Sequence, residues 1–174
     1  MKTIFKQLAV VCAMFVSLTV VGQTTANDFV ELGAELQEIG AYDQAVNCYA
    51  CAADKGSIEA YYKLGVCYIN GYGVDTDDEY GLMLVLYSAE NGYTVAQMYC
   101  AMICHEDGDY EGAVDWLSMA VENGDADAQF ILGLYYVQGL GVETDYDKGL
   151  DLIIAAAENG NEDAMEMIYD LCSK

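Results

Sequence analysis

Ala60-Tyr-Tyr-Lys-Leu-Gly65 returns as Ala128-Gln-Phe-Ile-Leu-Gly133, and more loosely as Ala96-Gln-Met-Tyr-Cys-Ala101 and Ala164-Met-Glu-Met-Ile-Tyr169. Asp28-Phe-Val-Glu-Leu-Gly33 fits without the leading alanine. The starts fall at 28, 60, 96, 128 and 164, so the spacing alternates between 32 and 36 residues. A second motif keeps the same rhythm: Ala45, Gly81, Ala113 and Gly149 each precede Gly56, Gly92, Gly124 and Gly160 by eleven residues. The four extra residues of the long units lie between the two motifs, in Gly71-Tyr-Gly-Val-Asp75 and Gly139-Leu-Gly-Val-Glu143. The short units turn at Gly40-Ala-Tyr-Asp43 and Gly108-Asp-Tyr-Glu111. A period of this length marks a stack of repeats.

Apolar residues recur at helical spacing inside each unit, as at Leu64, Tyr68 and Ile69 or Leu132, Tyr136 and Val137. Each unit therefore reads as two helices, A and B. The pattern predicts helices near 28–39, 42–55, 58–70, 77–91, 94–107, 110–123, 126–138, 145–159 and 162–172. Gly71 and Gly139 suit the positive-φ position that ends a helix. Thr76 with Glu79, and Thr144 with Asp147, resemble capping boxes opening helix B. Gly33, Gly65 and Gly133 sit inside helix A, where glycine costs about 1 kcal/mol against alanine. Close approach of two helices is the expected return for that cost. Tyr169 fills the same slot in the last unit, which reads as a terminal cap.

The Gly-x-Gly-Val loops, the Ala-x-x-x-Leu-Gly helix A and the Ala-Ala-x-x-Gly end of helix B resemble Sel1-like repeats, relatives of tetratricopeptide repeats. The resemblance covers residues 28–174. Its units lie near 28–59, 60–95, 96–127 and 128–163, followed by a terminal helix at 164–174. It implies an all-α fold: an α-solenoid of antiparallel helix pairs, wound as a right-handed superhelix, with a protein-interaction role. The short units lack the Gly-x-Gly-Val loop. Asp75 and Glu143 follow Val where the family often has Pro and Lys, which argues against a basic role for that loop.

Composition narrows the partner. The 174-residue chain has 29 acidic and six basic residues, a formal net charge of -23. Such a chain repels phosphate backbones and anionic membrane surfaces, so neither nucleic acid nor membrane is an expected partner. A hydrophobic fraction of 55% argues for a folded core. Residues 1–26 read as a cleaved signal peptide: Lys2 and Lys6 lead an apolar stretch from Leu8 to Val21, and small residues follow. Cleavage after Gly22 and after Ala26 both fit, and an uncleaved anchor is the competing reading. The mature domain would be 27–174, secreted or periplasmic. Cys12 is not a convincing lipid-attachment site, because Val11 before it is not small.

Chemistry-bearing residues are few. Cys48, Cys100, Cys104 and Cys172 occupy slots held in other units by apolar or aromatic residues. Cys51 and Cys67 do not, and a disulfide between them stays open. Zinc binding by the Cys48/Cys51 and Cys100/Cys104 pairs with His105 is disfavoured, since His105 is turned about 100° from Cys104 at helical pitch. The acids of Asp75-Thr-Asp-Asp-Glu79 lack the glycine and the final glutamate of a calcium loop. No metal and no cofactor is expected. His105 is the single histidine, so catalysis has little to stand on and a non-enzymatic role is the leading reading. Some cysteine-rich Sel1-like proteins act on β-lactams, which makes a small hydrolase the alternative. Their cysteines bracket the inter-helix turns, and the turns at 52–60 and 88–96 contain none.

In tetratricopeptide-like stacks the A helices line a concave face. Carried onto this chain, that resemblance places a binding groove at Tyr62, Val66, Ile69, Met98, Met102, His105, Phe130, Leu134 and Val137. Asn70, Glu106 and Gln138 are its polar members, and Glu59, Glu106 and Asp127 rim it. A protein or peptide is the expected ligand, as an amphipathic helix or an extended segment with apolar anchors and basic flanks.

Overall fold

A computed structural model describes residues 24–173; the expected signal peptide lies almost wholly outside them. Among the described residues every regular element is a helix: α1 (Ala26–Glu38), α2 (Tyr42–Asp54), α3 (Ile58–Asn70), α4 (Asp78–Glu90), α5 (Thr94–Glu106), α6 (Tyr110–Glu122), α7 (Ala126–Gln138), α8 (Tyr146–Glu158) and α9 (Glu162–Cys172). Successive helices pack as neighbours, α1 on α2, α5 on α6 and α7 on α8, with α9 on α8. The chain divides into two units, up to Val85 and from Leu86 onward.

The first unit centres on Tyr49, which is fully buried with Leu36, Ala45, Val46, Leu64 and Cys67 around it. Its hydroxyl donates to Gln37 Oε1 at 2.9 Å, so the ring's one polar atom is satisfied. Gly33 gives that ring its room: a Cβ there would lie 2.5 Å from Tyr49 Cε1. The second unit packs Val114, Leu117, Leu132 and Tyr135 into one cluster. Ile153, Ala156 and Ala164 form another. Here α7 meets α8 backbone to backbone. A Cβ on Gly133 would sit 2.8 Å from the Gly149 carbonyl oxygen, and a Cβ on Gly149 would sit 2.8 Å from that of Gly133. Gly65 stands to Gly81 in the same way, at 2.6 Å. The helical glycines are thus contact residues between helices A and B.

Gly71 and Gly139 end α3 and α7 with φ 69° each, as the repeat predicts. The caps of α4 and α8 differ from expectation. Asp77 accepts from the Tyr80 amide and Asp145 from the Lys148 amide, each at 3.0 Å, so the caps fall one residue after Thr76 and Thr144. A carboxylate at the positive end of a helix is a stronger acceptor than a hydroxyl. The threonines turn back into the loop, where they crowd Gly71 and Gly139.

Polar side chains also tie repeats together. Gln97 is 1% exposed; it donates to the Ala89 carbonyl at 3.1 Å and accepts from Asn123 at 2.9 Å. Asn159 donates to Gln129 at 2.8 Å one repeat later. Two of the three Glu-Asn-Gly motifs thus place an asparagine, Asn123 or Asn159, that reaches helix A of its own pair, while Asn91 donates to the Tyr87 carbonyl of its own helix.

Candidate functional site

The expected groove residues divide between the two units. On α3, Tyr62, Val66 and Ile69 are half-buried. Ile69 Cγ1 reaches the notch at Gly81, 2.7 Å from where a Cβ would stand, so it packs on α4. In the second unit, Phe130, Leu134 and Val137 lie together against Ile153, Ala156 and Ala164. Met98 packs on the cluster around Leu117 and Leu132. Met102 is 47% exposed and His105 is exposed, on the same helix. His105 is tethered: its Nδ1 lies 2.5 Å from the Tyr135 hydroxyl, and its ring meets Tyr110 edge-on at 5.4 Å. The second unit thus brings the α7 trio together over α8 and α9, and leaves Met102 as the apolar side chain most open to water in its A-helix set.

All six cysteines among the described residues are unbonded. Cys48 and Cys100 are buried, as their slots predict. Cys67 is a correction: it is 2% exposed and belongs to the first core. Cys172 is the opposite correction, since its slot reads as core and its side chain is exposed. Cys51 is exposed and Cys104 half-buried. Burial pushes the Cys67 and Cys100 thiols up to about 11 and raises Cys48. Thiols held protonated are poor nucleophiles and poor metal ligands. Among the described residues no group of three or more His, Cys, Asp or Glu is placed to hold a metal ion. No helix among them is long and apolar enough to cross a membrane.

Two open clefts lie within the units. One, of about 370 Å³, is lined by Ala34, Gln37, Glu38, Tyr42, Tyr49, Lys63 and Tyr72. Tyr42 and Tyr72 stack at its edge, 5.2 Å between centroids. The other, of about 470 Å³, is lined by Tyr136, Val142, Glu143, Thr144, Asp145 and Lys148. Lys148 Nζ donates to the Tyr136 hydroxyl at 2.6 Å and sits 4.0 Å from its ring centroid, which satisfies that cation internally. Neither cleft is apparent from the repeat. Nor are the exposed aliphatics of the B helices: Leu82, Met83 and Leu86 on α4, Leu150 and Ile154 on α8. Setting the four B helices in register would have exposed them to view.

Paired helices of alternating loop length, closed by glycine contacts, define an α-solenoid repeat protein. A Sel1 repeat model matches residues 34–57, 58–93, 94–125 and 126–161, and the chain belongs to the Sel1 repeat family. Proteins of this family are in general protein-interaction scaffolds. A Sel1 repeat protein from Oxalobacter formigenes superposes with a TM-score of 0.76 at 28% identity, covering 86% of this chain and 46% of that one. A protective antigen of uropathogenic Escherichia coli with an SLR fold gives 0.75 at 28% identity, covering 86% and 34%. Among curated proteins, DAP3-binding cell death enhancer 1 of Mus musculus is 26% identical over 152 residues, covering 64% of this chain. The chain spans 30% of that relative's length.

Proposed function

We propose that the protein is an exported scaffold that captures a protein or peptide with apolar anchors and basic flanks. The observation that carries this reading is the A-helix surface of the second unit. Met102 stands 47% exposed beside half-buried Met98, in a chain with a net charge of -23. Adaptable methionine side chains within an acidic surround suit a basic, apolar ligand. The mouse relative is named for binding a protein, which agrees with a protein partner. The protonated thiols and the tethered His105 favour a scaffold over a hydrolase. The test is affinity capture with the wild-type chain and a Met102→Asp variant, read by quantitative mass spectrometry. A partner enriched by the first and lost with the second is expected. Equal enrichment would move the site elsewhere, and turnover of a chromogenic β-lactam would replace the scaffold reading.

Export rests on Lys2, Lys6 and the apolar run from Leu8 to Val21. Of the two cleavage positions, the one after Gly22 preserves the start of α1. Thr25 caps that helix, accepting from the Asp28 amide at 3.2 Å while Asp28 accepts from the Thr25 amide at 2.7 Å. Cleavage after Ala26 would remove the cap. The expected mature N-terminus is therefore Gln23, and the intact mass of protein from its native host decides it. Retention of Met1 in a membrane fraction would sink the export reading.

A further inference from the structure

The repeat starts at 28 and 96 put residue 34 of the first unit in register with residue 102 of the second. In that register Ala34, Gln37, Lys63 and Tyr72 answer to Met102, His105, Ile131 and Leu140, while Glu38 and Tyr42 recur as Glu106 and Tyr110. All six of these first-unit residues line the cleft of about 370 Å³. Where the second unit carries three bulky apolar side chains, the first has a methyl group, an ammonium and a phenol. The small Ala34 side chain leaves open the place that a methionine takes in the other copy.

The aromatic edge of the cleft is preset. Gly73, at φ 72°, presses so close to the Tyr42–Asp43 backbone that no Cβ fits. Tyr72, next in the chain, is thereby held on Tyr42, with ring centroids 5.2 Å apart and planes 18° from parallel. Both rings stay open to water, at 37% and 39% exposure. Fully buried Tyr49 backs the cleft; its hydroxyl engages Gln37 Oε1 at 2.9 Å and leaves the Gln37 amide hydrogens for another acceptor. Exposed Glu38 adds acceptors, and Lys63 adds donors. Lys63 Nζ lies 3.5 Å from Glu59 Oε1, so its charge is already answered.

The charges disfavour an ion of either sign. Lys63 opposes a cation, and Glu38 opposes an anion in a chain whose net charge is -23. A neutral ring bearing hydroxyl groups meets neither obstacle. Its hydroxyls call for donors and acceptors together, and its axial C–H bonds, slightly positive, suit the negative face of a phenol ring. Equatorial hydroxyls leave such C–H bonds on both faces of the ring. The volume lies at the small end of the roughly 300–1,000 Å³ usual for ligand pockets, which fits a short saccharide.

We propose that this cleft binds a neutral saccharide whose rings carry equatorial hydroxyls, with one ring against Tyr72 and its hydroxyls bonded to Gln37, Glu38 and Lys63. The site lies within the first unit and does not rest on the peptide groove. The probe is cellobiose, titrated against the full chain and read by NMR, with saturation transfer reporting which sugar protons touch the protein. Saturable binding is expected, strongest at the ring C–H protons. Tyr72→Ser and Ala34→Met should each weaken it at least about tenfold, equal to about 1.4 kcal/mol. Tyr72 is exposed, so Tyr72→Ser should keep its circular dichroism and melting; if it does not, Glu38→Gln, at the exposed end of α1, is read on the same criterion. Absence of saturable cellobiose binding, or binding indifferent to Tyr72 and Ala34, would overturn the proposal. So would tighter binding of arginine or adenosine to the same residues, which would make the cleft a cation site or a base site.

Discussion

Cys67 shows how burial can escape a repeat pattern. Its slot holds Glu35, Ile103, Tyr135 and Leu171 in the other units, a set with no common size or polarity. The slot is core again in the second unit, where Tyr135 is 5% exposed, so burial there follows the helix packing of each unit rather than residue type. The burial has a measurable sign. Below pH 9 the thiol is protonated folded or unfolded; between pH 9 and about 11 the unfolded chain releases the proton first. Stability therefore falls as pH rises through that window. Cys67→Ala should flatten the fall in urea midpoint between pH 8 and pH 10 relative to wild type; an identical slope in both would refute the assignment. Cys51 and Cys172, both exposed, should react with a thiol reagent in the native state long before Cys67 and Cys100. Gly133 makes a second residue-scale test. A leucine there must displace the Gly149 carbonyl and Ile153, so it should cost more than the about 1–3 kcal/mol usual for overpacking. Unchanged thermal unfolding would mean that α7 and α8 do not meet at this notch.

At the scale of elements the sequence is a good guide, because helix ends here are written in local chemistry. Glycine with positive φ and an oxygen-bearing side chain before the first turn locate most boundaries to within a residue or two. What the pattern misses is competition between neighbours. Thr76 and Asp77 are both competent caps, and the carboxylate, the stronger acceptor, takes the place while Thr76 lies beside Gly71 in the loop. The loops also carry a function that composition hides, since their valines close the first and second cores over α2 and α6. Gly141→Ala tests this. Its φ is 65° and its Cβ would strike the Tyr110 backbone, whereas Gly124, at φ 83°, opens onto free space. Both alanine variants suffer the left-handed backbone, which costs on the order of 1 kcal/mol. Gly141→Ala alone adds the clash, so it should melt at a distinctly lower temperature than Gly124→Ala. Equal melting would mean the loop does not press on α6.

For the whole molecule, charge and burial pull in different directions. The candidate groove was legible as a list of A-helix positions, but not as a surface. Val137 and Ile69 have the same apolar character as Met102, yet the first two sink into glycine notches while Met102 stays half in water. That distinction depends on which helix lies opposite, which spacing alone does not encode. The charge, by contrast, is plain in the sequence. With 29 acids against six lysines, folding gathers like charges, and screening should relieve part of the repulsion. The screening length falls from roughly 10 Å at 0.1 M salt to roughly 3 Å at 1 M. Raising sodium chloride over that range should raise the melting temperature. Capture of a basic partner should respond the other way, because its attraction to the acidic surround is screened by the same ions. Opposite responses of melting temperature and affinity, measured in one salt series, are the expected result. A partner whose affinity holds or rises with salt would show that apolar contact alone recruits it, and would remove basic flanks from the description of the ligand.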